Sequence, residues 1–180
     1  TILQDVRMLM PGHYMIINKN GVQEKEYWSL SQNISEASLG KSYREVCDDV
    51  KILLSKSVER RLVADVPFGA FLSGGIDSSA IVGLMSTVSS KQVKTFSVTF
   101  DESEFSEAKY AQFIAKKFNT EHHEIKLEVT DFLDELPYAL KAMDHPSGDG
   151  PNTYVVSKAT KNAGITMALS GLGGDELFAG

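Results

Sequence analysis

The spacing of apolar positions changes several times along the chain, and each change predicts an element. His13-Tyr-Met-Ile-Ile17 and Val22 to Trp28 flank Asn18-Lys-Asn-Gly21. An Asn-Gly pair between two strand-like runs predicts a β-hairpin. Residues 29–41 carry no clear period, which predicts a linker and a domain boundary near residue 32. From Ser42 the period becomes helical. Ser42 and Glu45 form a capping-box pattern. Tyr43, Val46, Cys47, Val50, Leu53, Leu54, Val58 and Leu62 then recur at helical spacing, predicting an amphipathic helix over 42–64. Cys47 falls on its apolar stripe and is expected to be a small buried residue.

Beyond this helix, short apolar runs alternate with helical patterns. Strands are expected over 68–72, 94–100, 122–127 and 165–169. A helix is expected over 79–87. Another is capped by Ser106 and shows Ala108, Ala111, Ile114, Ala115 and Phe118 on one face. A third spans 131–143, with Pro137 expected to kink or split it. A fourth starts at Asn152 as cap and stops at Gly164, a fitting residue just past a helix end. Strands alternating with helices predict an α/β fold with a parallel sheet and right-handed crossovers.

Composition narrows the function classes. The 180 residues are 42% hydrophobic, enough for a core. The 18 basic and 24 acidic residues give a net charge of −6, against the basic excess of a nucleic-acid binder. Cys47 is the single cysteine, so an internal disulfide, a CxxC redox site and a zinc ribbon are excluded. No apolar run approaches the ~20 residues of a membrane span. The expected setting is cytoplasmic, with neither nucleic acid nor membrane as a partner.

In such sheets ligands bind beyond the carboxyl ends of the strands, and two glycine-rich loops fall there. The first is Ser73-Gly74-Gly75-Ile76-Asp77-Ser78-Ser79. Its glycines let backbone N–H groups approach an anion, its serines add hydroxyl donors, and a helix start adds partial positive charge. Asp77 would repel a bare phosphate, which points to a magnesium ion between them. The bland alternative is a tight turn with a serine cap. The second loop is Ser170-Gly171-Leu172-Gly173-Gly174-Asp175-Glu176. Asp77 and Asp175, on loops from different strands, could share one cation. The bland alternative is an acidic first helical turn. Neither loop is a Walker loop, a GxGxxG fingerprint or a GxSxG elbow.

SGGIDSS resembles the signature of the PP-loop ATP pyrophosphatases. The order SGGIDSS, TFSVTF, DHPSGDGPNTYVVSKA, SGLGGDELFAG resembles the synthetase domain of the glutamine-hydrolysing asparagine synthetases. The stretch from Met10-Pro-Gly-His-Tyr14 to Tyr27-Trp28 resembles the last strands of that family's glutaminase domain. The resemblance implies a truncated Rossmann-like, PP-loop adenine nucleotide alpha hydrolase fold after a short hairpin. It divides the chain into a glutaminase-domain remnant, 1–31, and the N-terminal part of an ATP-dependent synthetase domain, 32–180.

The resemblance also implies a reaction: a carboxylate attacks the α-phosphorus of ATP, pyrophosphate leaves, and ammonia displaces AMP from the acyl-adenylate. ATP and Mg2+ are the implied cofactors. By position, Leu72 and Val98 match adenine contacts, and Ser73, Gly74, Gly75, Asp77 and Ser78 match the pyrophosphate cradle. Asp77 and Asp175 match the metal-linked acids, Ser170 and Gly171 the pair against AMP. Asp77, Asp175 and Glu176 are the expected catalytic acids. Aspartate is the first expected acceptor, with another small carboxylate as the alternative. Ammonia would come from an N-terminal glutaminase domain, since Cys47 is internal and helical and cannot serve as that domain's nucleophile. A homodimer is compatible with the resemblance.

Two positions depart from the asparagine-forming pattern. Leu172 stands where the best-known members have a Glu thought to take a proton from ammonia, and leucine does no acid–base work. His145 stands where Glu is more frequent. Other readings are a different PP-loop enzyme, such as one modifying tRNA, and a nucleotide-binding module without catalysis. Glu121-His-His-Glu124 suggests a metal site, but neighbouring strand residues point to opposite faces and cannot chelate one ion. Asp149 and Asn152 are expected as helix caps. Glu107, Lys109, Lys116 and Lys117 read as a solvated face.

Overall fold

The computed structural model describes residues 3–34, 40–99 and 108–178. The chain forms two compact units, Thr1–Asp48 and Asp49–Gly180. The first contains the predicted hairpin: β1 (His13–Asn18) pairs antiparallel with β2 (Gly21–Glu26), with Asn18 opposite Gly21. Asn18 Oδ1 accepts the N–H of Asn20 and closes the turn. A single 3-10 turn, Ser31–Asn33, follows.

Helix α1 (Tyr43–Arg61) begins at the predicted capping box. The Glu45 carboxylate accepts the Ser42 N–H at 2.8 Å, and the Glu45 N–H donates to Ser42 Oγ at 3.3 Å. The expected burial of Cys47 does not hold, because Cys47 is exposed. The apolar stripe is covered only in its C-terminal half, where Val58 is buried and Leu62 packs beside it. Tyr43, Val46 and Leu53 remain open.

The second unit carries a four-stranded parallel sheet. It is built from β3 (Phe68–Phe71), β4 (Lys94–Thr99), β5 (Glu121–Lys126) and β6 (Met167–Leu169), in the order β5-β4-β3-β6. The parallel α/β fold expected from the alternation is the fold adopted. Between the strands run α2 (Ile76–Val88), α3 (Ala108–Lys117), α4 (Val129–Ala142) and α5 (Gly150–Asn162). A five-residue turn of helix, α6 (Gly174–Phe178), follows β6. Ala70 and Leu72 on one sheet face meet Val82 and Met85 of α2, Ala111 and Ala115 of α3, and Val58 of α1.

The helix starts differ from expectation in instructive ways. Helix α2 begins at Ile76, three residues before the predicted start, with Gly75 as cap and no side-chain cap bond. No serine caps it, because the cap position is held by Gly75, which has no side chain, while Ser73 and Ser78 bond each other. Helix α4 begins at Val129 through a reciprocal box between Glu128 and Asp131, and it continues through Pro137 without a split. Helix α5 begins at Gly150 rather than after Asn152. Its cap is Asp149, whose carboxylate accepts from the Thr153 hydroxyl at 2.8 Å and from the Asn152 amide at 3.2 Å. Those two bonds hold the Asp149 carboxyl below the usual carboxylate range. Gly164 takes φ +85°, the left-handed conformation expected just past the helix end. Ser106, Glu107 and Phe100 lie outside the described residues.

His122 and His123 point to opposite faces, as the strand period requires. His122 bonds Thr95 and Ser97 of β4, whereas His123 stacks on Phe96 with ring centroids 5.2 Å apart and donates to Glu121. Among the described residues no group of three metal-ligating side chains forms. Burial holds His122 below its ordinary pKa.

Met85 is fully buried, so Met85→Ala should lower unfolding free energy by about 2–5 kcal/mol in urea melts. Leu53, 65% exposed, should change it by no more than about 0.5 kcal/mol when replaced by Ala. As pH falls, the unfolded chain protonates at His122 before the native chain does. Native stability should therefore decline as pH drops below the ordinary histidine range near ~6.5. Urea midpoints at successive pH values should show a shallower acid decline in His122→Gln.

Candidate nucleotide site

The two glycine-rich loops leave adjacent strands, β3 and β6, at their carboxyl ends. The first loop crosses from β3 to α2. Leu72 prolongs the β3–β4 pairing, donating its N–H to the Phe96 carbonyl at 2.8 Å. The chain then turns through Gly74 at φ +91°. A Cβ there would lie 2.6 Å from the Tyr110 Cβ and 2.9 Å from the Ala111 nitrogen, so only glycine fits. Ser73 Oγ accepts the Gly75 N–H at 3.2 Å and lies 3.0 Å from Ser78 Oγ. Ser79 is the first residue of α2 with an intrahelical acceptor, the Gly75 carbonyl. The N–H groups of Ile76, Asp77 and Ser78 therefore have no helical carbonyl ahead of them.

The second loop folds directly onto this start. A Cβ on Gly171 would sit 2.7 Å from the Ser78 nitrogen, and one on Gly174 would overlap the Asp77 carboxylate. The Gly174 N–H bonds back to the Gly171 carbonyl at 3.1 Å, and the Leu172 N–H donates to Ser170 Oγ at 3.3 Å.

A cleft of about 820 Å³ opens where the loops meet. Of the expected residues, Ser73, Gly75, Asp77, Ser78, Ser170, Gly171 and Asp175 line it. A neighbouring cavity of about 260 Å³ is walled by Leu72, Ser73, Ser97 and Val98, with Asn152 and Val156 shared between the two. Leu72 and Val98, expected to meet adenine, thus line the smaller cavity, and Ser73 lines both. Gly74 shapes the loop from behind and Glu176 is exposed on α6; neither lines these cavities. His145 is exposed and donates Nδ1–H to the Pro146 carbonyl. Leu172 is 88% exposed at the cleft.

The cap and first two turns of α5 also reach the cleft, through Asp149, Asn152, Thr153, Val156 and Ser157. Sequence reasoning treated Asp149 and Asn152 as caps. The available signal was their place in the run SGDGPN, which opens a helix between two strands.

The electrostatics of the cleft are one-sided. Its charged lining residues are Asp77, Asp149 and Asp175, and no Lys or Arg lines it among the described residues. Three carboxylates would repel a polyphosphate unless a cation stood between. Carboxylates completed by phosphate oxygens are a donor set that suits Mg2+, so the residues present fit that ion.

Residues 49–180, the second unit, match the model of the asparagine synthase family. The chain belongs to this family. It is 34% identical over its full length to asparagine synthetase [glutamine-hydrolyzing] 1 of Bacillus subtilis, and covers 28% of that protein. It is 30% identical over its full length to amidase chyE of Penicillium rubens, and covers 29% of it. The chain thus spans under a third of the length of these relatives. Among solved structures, the NH3-dependent NAD synthetase from Campylobacter jejuni aligns with a TM-score of 0.45 and 14% identity, over 64% of this chain and 49% of that one.

The contact of Gly174 with Asp77 can be tested directly. Gly174→Ala should push the second loop off the first. Amide NMR shifts should change at Asp77, Ser78 and residues 171–175, while the urea unfolding free energy moves by about 1 kcal/mol or less, since α6 is exposed.

Proposed function

We propose that this chain is the nucleotide-binding part of an ATP-dependent, amide-forming ligase that works through an acyl-adenylate. The observation that carries the reading is the apposition of the two loops. It sets the unpaired N–H groups of the α2 start, the Ser73 and Ser78 hydroxyls, Asp77 and Asp175 around one cleft, beside a cavity of a size for a base.

In this reading the triphosphate lies over Gly75 and the α2 N-terminus, where backbone donors stabilise its charge. The base enters the cavity between Leu72 and Val98, and Ser170 and Gly171 flank the AMP portion. Asp77 and Asp175 would hold Mg2+, which neutralises charge on the phosphates. The helix start and loop amides favour the negative charge that grows on pyrophosphate as the carboxylate oxygen attacks the α-phosphorus. Ammonia then attacks the acyl carbon, AMP departs, and the amide forms. Aspartate is the proposed acceptor and asparagine the product, with ammonia drawn from glutamine by an N-terminal glutaminase domain of which residues 1–31 would be the last part. The protein is proposed to work in the cytoplasm. No described helix is long and apolar enough to cross a membrane.

Leu172 favours a second acceptor. An exposed leucine supplies no base at the cleft mouth, and the relation to an amidase as well as to asparagine synthetases fits a different small carboxylate.

Mass spectrometry of products from Mg-ATP and a panel of carboxylates should show AMP, pyrophosphate and one acyl-adenylate. Formation of ADP and phosphate, or pyrophosphate exchange stimulated by tRNA and by no carboxylate, would overturn the reading. Asp77→Asn and Asp175→Asn should each slow carboxylate-dependent pyrophosphate exchange by about 10²-fold or more.

A further inference from the structure

His122 is a partly buried titratable side chain that the cleft does not use. It stands on β5 with 11% of its side chain exposed, under α3. Its ring lies between two hydroxyls of the neighbouring strand. Thr95 Oγ1 is 2.9 Å from Nδ1, and Ser97 Oγ is 3.3 Å from Nε2. Thr95 is wholly buried and also lies 2.8 Å from Thr120 Oγ1. Ser97 is 5% exposed. A polar seam therefore runs Thr120, Thr95, His122, Ser97, and it ends at a residue lining the smaller cavity beside Leu72 and Val98.

One arrangement of hydrogens satisfies every member of this seam. A neutral imidazole has one donor and one acceptor nitrogen. The Glu124 carboxylate, 4.0 Å from Nε2, favours the hydrogen there. Nδ1 then accepts from Thr95, which accepts in turn from Thr120. Nε2–H donates to Ser97 Oγ, so the hydroxyl hydrogen of Ser97 is directed to a different acceptor. The preceding backbone is fixed as well, since Phe96 is clamped between the Leu72 N–H and the His123 ring.

We infer that His122 is a positioning residue for the nucleotide base: by holding Ser97 Oγ it makes Ser97 a polar, orientation-fixed contact in the wall of the base cavity. The inference rests on the adenine-nucleotide reading given above. It separates base recognition, which depends on the seam, from phosphate recognition, which depends on the glycine-rich loops.

The test is calorimetric titration of the protein with Mg-ATP and with Mg-tripolyphosphate, which has the phosphates but no base. His122→Ala and Ser97→Ala should each weaken Mg-ATP about fivefold and leave tripolyphosphate unchanged. The double variant should lose no more than the stronger single one, because both changes break the same chain of bonds. Should His122→Ala not fold, Ser97→Ala, which removes one hydroxyl, and His122→Gln decide on the same two ligands. Unchanged ATP affinity, equal losses for both ligands, or additive losses would overturn the inference. Wild-type protein that binds tripolyphosphate as tightly as ATP would overturn the base-cavity reading, and this inference with it.

Discussion

The close approach of two backbone turns governs the candidate site. Strands β3 and β6 are direct neighbours, so the loops leaving their carboxyl ends emerge side by side. Neighbouring loops usually hold one another off with side chains. Here Gly171 and Gly174 bring bare backbone against the Ser78 nitrogen and the Asp77 carboxylate. The helix start and the second acidic loop therefore become one surface. A methyl group at either glycine would separate donors from acid. The sheet supplies adjacency, the glycines supply contact, and the cleft exists only where both hold.

The sheet can carry this because its centre is rigid. Ala70, Leu72 and Phe96 are buried almost completely, and β3 and β4 are paired in strict register up to the residue before the first loop. The Leu72 N–H bond to Phe96 extends that register by one position, to the point where the first loop begins. The polar seam under α3 is compatible with the core because each of its hydroxyls and both imidazole nitrogens find partners, the condition under which buried polar groups are tolerated.

Much of this was legible in the sequence, for reasons that also explain what was not. Period and turn chemistry are local, so the hairpin at Asn18–Gly21, the Ser42–Glu45 box, the four parallel strands and the Gly164 stop could all be read. The glycine-rich loops were legible because glycines and acids at a strand–helix junction have few other uses. Helix starts were misjudged because the helical period does not fix where the first turn closes: α2 starts at Ile76 behind a glycine cap, and α5 starts at Gly150 behind Asp149, with Asn152 already inside the helix. Cys47 was misjudged because a helical stripe shows which face is apolar, not how much of its length is covered. The share of α5 in the cleft is a tertiary fact. The run SGDGPN marks a helix start between two strands, but only the folded chain sets that start beside Phe71 and Ser73 in the cleft wall.

The charge of the cleft brings these strands of argument together. Asp77 lies in the first turn of α2, where a carboxylate is favoured by the helix dipole and by the unpaired N–H groups beside it. The same donors are those a phosphate would seek, so acid and phosphate compete for one positive region. With Asp149 and Asp175 on the remaining walls, and no basic side chain among the described lining residues, the competition cannot be settled by protein charge alone. A divalent cation would convert it into cooperation, since the carboxylates would become ligands and the amides would remain free for phosphate oxygens. An acidic cleft at a helix N-terminus is in that sense complementary to a metal–phosphate pair rather than to either partner alone. The surplus of acids in a chain proposed to bind a polyanion is then no contradiction.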